Sequence, residues 1–134
     1  MMDYGIDTSA LMRTLTFEPP SLAAKVSERI AEIVTSGGTI HVSDLVVSEA
    51  YHALQHHYRA TKENAIAYLL ALSRQPGFRF SGHVIAALSQ PNAATMSPGM
   101  VDHMIAGEYH QRGLRVLACE KDFRRFDGAE VIAE

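Results

Sequence analysis

Four acidic side chains of this sequence lie beside or among apolar residues, where a carboxylate is a poor structural choice. They are Asp7, Glu49, Asp102 and Glu120. Burying an unpaired carboxylate costs on the order of several kcal/mol. A fold that gathers such groups normally holds a counter-cation, and Mg²⁺ or Mn²⁺ is the usual ion for an oxygen-only site. The four acids therefore predict metal-dependent phosphodiester chemistry.

Two of these acids come directly after predicted strands. Asp7 follows the short stretch 4–6, and Glu120 follows the apolar run 114–118, which we predict to be a buried strand. Asp is also a common helix N-cap, so Asp7 could simply begin the next helix. Both roles are open for Asp7 from its position alone.

The other two acids lie within predicted helices. Glu49 is four residues after Leu45 and four before Ala53, so we expect it on the apolar face that those residues form. Asp102 is in the first turn of a predicted helix over 100–112, with small or apolar neighbours on its side. A carboxylate in the first turn also interacts favourably with the helix dipole. Ligand and ordinary helix roles are therefore both open here.

The predicted elements alternate between strands and helices. Strands are predicted at 4–6, 39–42, 78–80, 114–118 and 129–132. This alternation predicts an α/β fold, specifically a three-layer α/β/α domain with a mainly parallel central sheet. In such sheets functional residues collect beyond the carboxyl ends of the strands, which is where Asp7 and Glu120 are expected.

Length and composition indicate an ordinary globular protein. The chain has 134 residues, 47% of them hydrophobic and 20% charged, which predicts a single domain over 1–134. No apolar run has the length of a membrane span, and the first residues lack the basic-then-apolar pattern of a secretory signal. The lone Cys119 excludes an internal disulfide and fits a reducing compartment, so we expect a cytoplasmic protein. The net charge of −3 argues against coating nucleic acid by bulk charge.

Other chemistries have weaker signals. His52 and His56 are spaced i, i+4, which can bind zinc, and Glu49 with His52 forms a Glu-x-x-His pair. No second Glu-x-x-His and no Cys/His cluster completes either site. The sequence also lacks the Gly-x-Ser-x-Gly motif of serine hydrolases and a phosphate-binding glycine-rich loop. A carboxylate site is the better interpretation.

Four short motifs, taken in order, resemble those of PIN-domain ribonucleases. They are Ile6-Asp7-Thr8-Ser9-Ala10-Leu11, Val46-Val47-Ser48-Glu49-Ala50-Tyr51, Val101-Asp102-His103-Met104-Ile105-Ala106 and the closing segment 116–126. Their order and spacing cover nearly the whole chain. The length is also similar to that of VapC-type toxins of bacterial toxin–antitoxin pairs.

The resemblance implies which residues form the site. Its members are Asp7, Glu49, Asp102, Glu120 and Asp122 as catalytic or metal-binding acids, with the Ser9 hydroxyl close to the metal. The sequence departs from the family pattern at Ala118, where Thr is frequent, and at Glu120, where Asp or Asn is usual. The longer acid leaves open whether Glu120 or Asp122 supplies the fourth carboxylate.

The resemblance also implies a function and partners. It implies an Mg²⁺- or Mn²⁺-dependent endoribonuclease that cleaves RNA with a metal-activated water, forms homodimers and is blocked by a small antitoxin protein. Arg124 and Arg125 are candidates for contact with the RNA backbone, or else a solvated surface pair. The changed fourth motif motivates an alternative of another class, a non-catalytic PIN-like binding module that scaffolds RNA or a protein partner.

Overall fold

The computed structural model describes residues 2–132 of the chain. Its elements are β1 (Asp3–Gly5), α1 (Thr8–Thr16), α2 (Pro20–Thr35), β2 (Thr39–Val42), α3 (Asp44–His56), α4 (Lys62–Ser73), β3 (Phe78–Phe80), α5 (Gly82–Leu88), α6 (Met100–Gln111), β4 (Leu117–Ala118), a 3₁₀ helix (Lys121–Arg125) and β5 (Glu130–Val131). The chain forms two compact units, of which unit 1 ends at Ser81 and unit 2 begins at Gly82. That 1–134 is a single domain stays a prediction.

Unit 1 contains a three-stranded parallel sheet in the order β1-β2-β3. Parallel neighbours need long crossovers, which the pairs α1–α2 and α3–α4 supply. One face of the sheet carries Ile40, Val42 and Phe78, which are 2%, 4% and 6% exposed. Helix α2 packs on β2 and α4 packs on β3, so the core of unit 1 lies between this sheet and its helices. The predicted parallel pairing is confirmed in this unit.

Local signals set the helix boundaries of unit 1. The Ser43 and Thr61 hydroxyls accept hydrogen bonds from backbone N–H groups in the first turns of α3 and α4, as capping residues do. Helix α2 has no side-chain cap hydrogen bond and instead begins with Pro20 in its first turn. Proline is favoured there because its missing N–H would have no partner within the helix.

Unit 2 contains α5, α6 and a two-stranded parallel sheet of β4 and β5. Its core is formed by Ala106, Val116 and Phe123, each 8% exposed. None of the helices between residues 2 and 132 combines the length and apolar character that crossing a bilayer requires.

The predicted buried strand over 114–118 is wrong in both extent and burial. Only Leu117–Ala118 forms a strand, and Leu114 and Leu117 are 48% and 70% exposed. A continuous apolar run predicts burial on both faces, as inside a large parallel sheet. In a two-stranded sheet, Val116 and Ala118 pack on the core while the intervening side chain points to solvent.

Candidate metal centre

Asp7 lies directly beyond β1 and is the N-cap of α1. Its Oδ1 accepts hydrogen bonds from the Ala10 backbone N–H and the Ser9 hydroxyl, both at 2.9 Å. The Ala10 bond, followed by the Ser9 bond, lowers the pKa of the Asp7 carboxyl below its ordinary value. These two hydrogen bonds favour the ionised carboxylate. Both are made to Oδ1, so Oδ2 takes no part in them. Capping and metal binding are therefore compatible at Asp7.

Glu49 is held by the residue that follows Asp7. The Thr8 hydroxyl donates a 2.8 Å hydrogen bond to Glu49 Oε1, which joins the start of α1 to the middle of α3. Within unit 1 the structure therefore brings the first two predicted acids into one neighbourhood. Ser9, the predicted near-metal hydroxyl, contacts Asp7 directly.

The reasoning that placed Glu49 on a buried face is wrong. Glu49 is exposed, and so is Leu45 at 70%. Helix α3 instead buries the set Val47, Ala50, Tyr51 and Leu54. Those residues form a complete i, i+3, i+4, i+7 stripe, which is the stronger pattern for a core-facing helix. Glu49 is therefore oriented by the Thr8 hydroxyl in a solvent-accessible position.

In unit 2, Asp102 interacts with Asp122. Asp102 is half-buried in the first turn of α6. Burial, and then the negative charge of Asp122, raise the pKa of the Asp102 carboxyl, while His103 and a hydrogen bond from the Gly99 backbone N–H act in the opposite direction. Two carboxylates that oppose each other's ionisation are an arrangement that a bound cation would relieve.

Asp122 has one oxygen with a partner and one without. Its Oδ2 accepts a 2.8 Å hydrogen bond from the Ser97 hydroxyl. Its Oδ1 is buried and makes no hydrogen bond within residues 2–132. Buried polar atoms are nearly always paired, so this oxygen calls for a ligand that the protein itself does not supply.

Within residues 2–132, Glu120, unlike Asp122, has neither a buried carboxylate oxygen nor a hydrogen bond that orients it. It is exposed and occupies the N-cap position of the 3₁₀ helix without a side-chain cap hydrogen bond. Asp122, two residues later, is the acid whose charge acts on Asp102. Between the two alternatives for the fourth carboxylate, the geometry of unit 2 favours Asp122.

A family comparison covers all of these residues. The model of the PIN domain family matches residues 4–129. This chain belongs to the PIN domain family. The match confirms the predicted PIN-like α/β/α fold class, and the parallel strand pairings described above agree with it.

Two solved structures are similar to this PIN domain in fold. One is VapBC2 from Rickettsia felis bound to a DNA fragment from their promoter, with 14% identity, 99% of this chain and 98% of that chain covered, and a TM-score of 0.42. The other is DNA-bound VapBC from Salmonella typhimurium, with 17% identity, coverage of 99% and 98%, and a TM-score of 0.38. No curated protein matches the chain.

Sequence reasoning missed two hydroxyls of this PIN domain. Thr8 orients Glu49, and Ser97 holds Asp122. Ser97 also accepts a hydrogen bond from the Arg125 guanidinium at its carbonyl oxygen. Arg125, a candidate for RNA contact, thus joins the loop before α6 to the 3₁₀ helix, and both Arg124 and Arg125 are exposed. Thr8 lies in a motif that could have signalled its role, but Ser97 is separated from Asp122 by 25 residues.

The histidine pair of this PIN domain lies on the exposed side of α3. The rings of His52 and His56 stack with centroids 6.1 Å apart and an interplanar angle of 16°. Within residues 2–132, no set of three or more His, Cys, Asp or Glu side chains with ligand atoms at metal-binding distance includes this pair.

Ser97→Ala is expected to lower the affinity for metal with little effect on the stability of the fold. The change removes the hydroxyl that orients Asp122 Oδ2 but leaves the backbone carbonyl that Arg125 uses. Loss of an outer-shell partner of a metal ligand typically lowers metal affinity or activity about 10–100-fold. Calorimetric titration with Mn²⁺ measures the effect, and Ser89→Ala, a hydroxyl deletion at the end of α5, is the control. Equal Mn²⁺ affinity in Ser97→Ala and the control would contradict this role.

Proposed function

We propose that this PIN domain is a metal-dependent endoribonuclease. The observation that carries the proposal is the acid pair of unit 2, in which Asp122 Oδ1 is buried without a partner and the pKa of Asp102 is raised. An acid pair with these properties is poorly stable by itself and suits a divalent cation. In a PIN nuclease, such a cation would take part in phosphodiester hydrolysis.

The residues present fit Mg²⁺ or Mn²⁺. Asp7, Glu49, Asp102 and Asp122 offer only carboxylate oxygens, the ligands that these hard cations prefer, and Glu120 is a further candidate. We propose, from the order of the family motifs, that these acids act together as one metal site. When bound, the ion would supply an activated water and compensate charge on the scissile phosphate.

The neighbouring residues fix the acids in place. Ser9 and the Ala10 N–H keep Asp7 ionised, so Asp7 can bind a cation without first losing a proton. Thr8 orients Glu49, and Ser97 orients Asp122. Asp102 binds its proton more tightly than an ordinary aspartate, so metal affinity is expected to fall as the pH becomes acidic.

The biological role is proposed from the sequence resemblance. VapC-like motifs across the chain support a cytoplasmic toxin that forms homodimers and is neutralised by a small antitoxin protein. The exposed Arg124 is free to contact the RNA backbone beside the acids of unit 2. A short protein encoded next to this gene would be the first antitoxin to test for inhibition.

The direct test is cleavage of RNA by the purified wild-type chain. We expect a mixture of transfer, messenger and ribosomal RNA to yield discrete fragments with Mn²⁺ or Mg²⁺ and to remain intact with EDTA. If every RNA remains intact and Mn²⁺ leaves the melting temperature unchanged, the nuclease proposal is wrong. The non-catalytic binding module would then be the better interpretation.

A further inference from the structure

Helix α3 carries an exposed pair of histidines that the proposed carboxylate site does not use. His52 and His56 are one helical turn apart, so their side chains lie on the same side of the helix. Both are exposed, and their ring centroids are 6.1 Å apart. His57 is also exposed, but it follows His56 directly and therefore lies on a different side. The pair thus presents two imidazoles to one region of solvent.

The ring nitrogens of this pair are available to a ligand. Within residues 2–132, neither ring makes a hydrogen bond or an ion pair. The other ring contact of His52 is with Tyr51, at 5.8 Å between centroids. A neutral imidazole has one donor nitrogen and one acceptor nitrogen. Each ring therefore has an acceptor nitrogen that can bind an ion without first losing a hydrogen bond.

Two imidazoles at this spacing favour zinc or a related transition metal. Histidines at i and i+4 on one side of a helix are a zinc-binding arrangement. Imidazole suits Zn²⁺, Cu²⁺ and Ni²⁺, whereas Mg²⁺ and Mn²⁺ prefer oxygen ligands. The pair is therefore expected to bind a different ion from the one proposed for the acids.

The distance between the two rings allows both to reach one ion. Zn²⁺ binds imidazole nitrogen at about 2.0–2.1 Å, so the two donor nitrogens of a complex lie within roughly 4 Å of each other. The centroids are 6.1 Å apart and the ring planes are nearly parallel, at 16°. Exposed side chains change rotamer rapidly, so rotation of the rings can direct one nitrogen of each to a shared ion. Because Cβ atoms at this spacing are about 5–6 Å apart, the helix itself need not change.

One copy of the chain supplies only two of the ligands that zinc needs. Structural zinc sites almost always have four protein ligands, and catalytic zinc sites have three and a water. Within residues 2–132, no group of three or more His, Cys, Asp or Glu side chains that could hold an ion includes His52 or His56. The site is therefore incomplete without ligands from another molecule.

We propose that His52 and His56 bind Zn²⁺ together with the same pair from a second copy of this chain, so that one ion joins two α3 helices. In a two-fold symmetric contact both copies use the same surface, so the pair on one copy faces the pair on the other. The four imidazoles then complete a tetrahedral set. The inference is independent of the proposed nuclease function, because it uses none of the acids of the candidate metal centre.

Calorimetric titration with Zn²⁺ at neutral pH tests this site. All proteins in the comparison carry Cys119→Ser, because the exposed thiol would also bind Zn²⁺, and the buffer contains excess Mg²⁺ to occupy sites made only of oxygen. We expect a binding event with one ion for every two chains. His52→Ala and His56→Ala should each weaken this event by at least about a hundredfold, because loss of even an outer-shell partner of a metal ligand costs about 10–100-fold.

His57→Ala is the matched control for both variants. It removes an exposed imidazole beside the pair but on another side of α3, and it should bind Zn²⁺ as tightly as the parent protein. All three histidines are exposed, so melting temperatures in EDTA should be equal for the parent and the variants. A loss of Zn²⁺ binding then reports on the site and not on unfolding.

The stoichiometry and the variants decide the outcome. One ion for every two chains, lost in both variants of the pair and kept in His57→Ala, supports the proposal. One ion per chain would show that water completes the coordination, which would overturn the bridge between two copies. Equal Zn²⁺ affinity in His52→Ala and His57→Ala, or a parent protein that binds no Zn²⁺, would overturn the site itself.

Discussion

Asp7→Asn is expected to lower RNA cleavage by more than about a hundredfold, because loss of even an outer-shell partner of a metal ligand costs about 10–100-fold. The fold should be retained. Asn and Asp are similarly good N-caps, so the hydrogen bond from the Ala10 N–H to the side chain of residue 7 can still form. Cleavage rates in Mn²⁺, with melting temperatures measured in EDTA, show both effects.

A second substitution at the same position separates capping from catalysis. Asp7→Ala removes the cap and should destabilise the protein by about 1 kcal/mol, whereas Asp7→Asn should not. Both variants should be inactive. Full cleavage activity in Asp7→Asn would show that this residue is only a helix cap and would exclude it from the metal site.

Asp102→Asn is expected to have opposite effects in the absence and presence of metal. Without metal at neutral pH, the substitution should raise the melting temperature, because it removes a charged carboxylate that burial and Asp122 disfavour. With metal present, the variant should lack the stabilisation that wild type gains from binding the ion. For wild type this gain is about 2.7 kcal/mol at a hundredfold excess of free Mn²⁺ over its dissociation constant.

The pKa of Asp102 gives the expected pH dependence. Its folded pKa is raised above the ordinary value of 3.8, so the folded state holds this proton more tightly than the unfolded state. Stability therefore falls as the pH rises from about 3.8 through the folded pKa, and the whole penalty is present above it. Asp7 behaves in the opposite way: its lowered pKa contributes stability above 3.8 that is lost as the pH falls through the folded pKa.

Scanning fluorimetry in EDTA, from neutral pH down to about 4, measures how the stability difference between Asp102→Asn and wild type depends on pH. The advantage of Asp102→Asn over wild type should shrink as the pH falls, because the wild-type carboxyl becomes protonated. Glu108→Gln, a neutralised exposed acid on α6, is the matched control and should show no such pH-dependent advantage. A less stable Asp102→Asn protein at neutral pH would contradict the account of this acid pair.

Local sequence signals predicted the elements of unit 1 well. The strand 39–42 was expected at its observed bounds, and Asp7 was considered as a helix N-cap, which it is for α1. These features depend on residues close in sequence, such as β-branched runs and capping hydroxyls. The motif containing Asp7 is local too, which is why the contact of Ser9 with that carboxylate agrees with the expectation.

Features that depend on distant partners were not predictable. The apolar residues 114–118 gave no sign that only one neighbouring strand would pair with them, which leaves Leu117 exposed. Helix α3 carries apolar residues on more than one side, so the composition near Glu49 did not reveal which side is buried. The Ser97–Asp122 contact joins a loop to a 3₁₀ helix, and no local pattern encodes such a pair.

The central claim is that acids from separate motifs bind one divalent cation for RNA cleavage. Calorimetric titration of Mn²⁺ into wild type, Asp7→Asn and Asp102→Asn at neutral pH tests it most directly. We predict a defined binding event in wild type that is lost in each variant, although both variants remain folded. Wild-type protein without Mn²⁺ binding, or variants that bind as tightly as wild type, would contradict the claim.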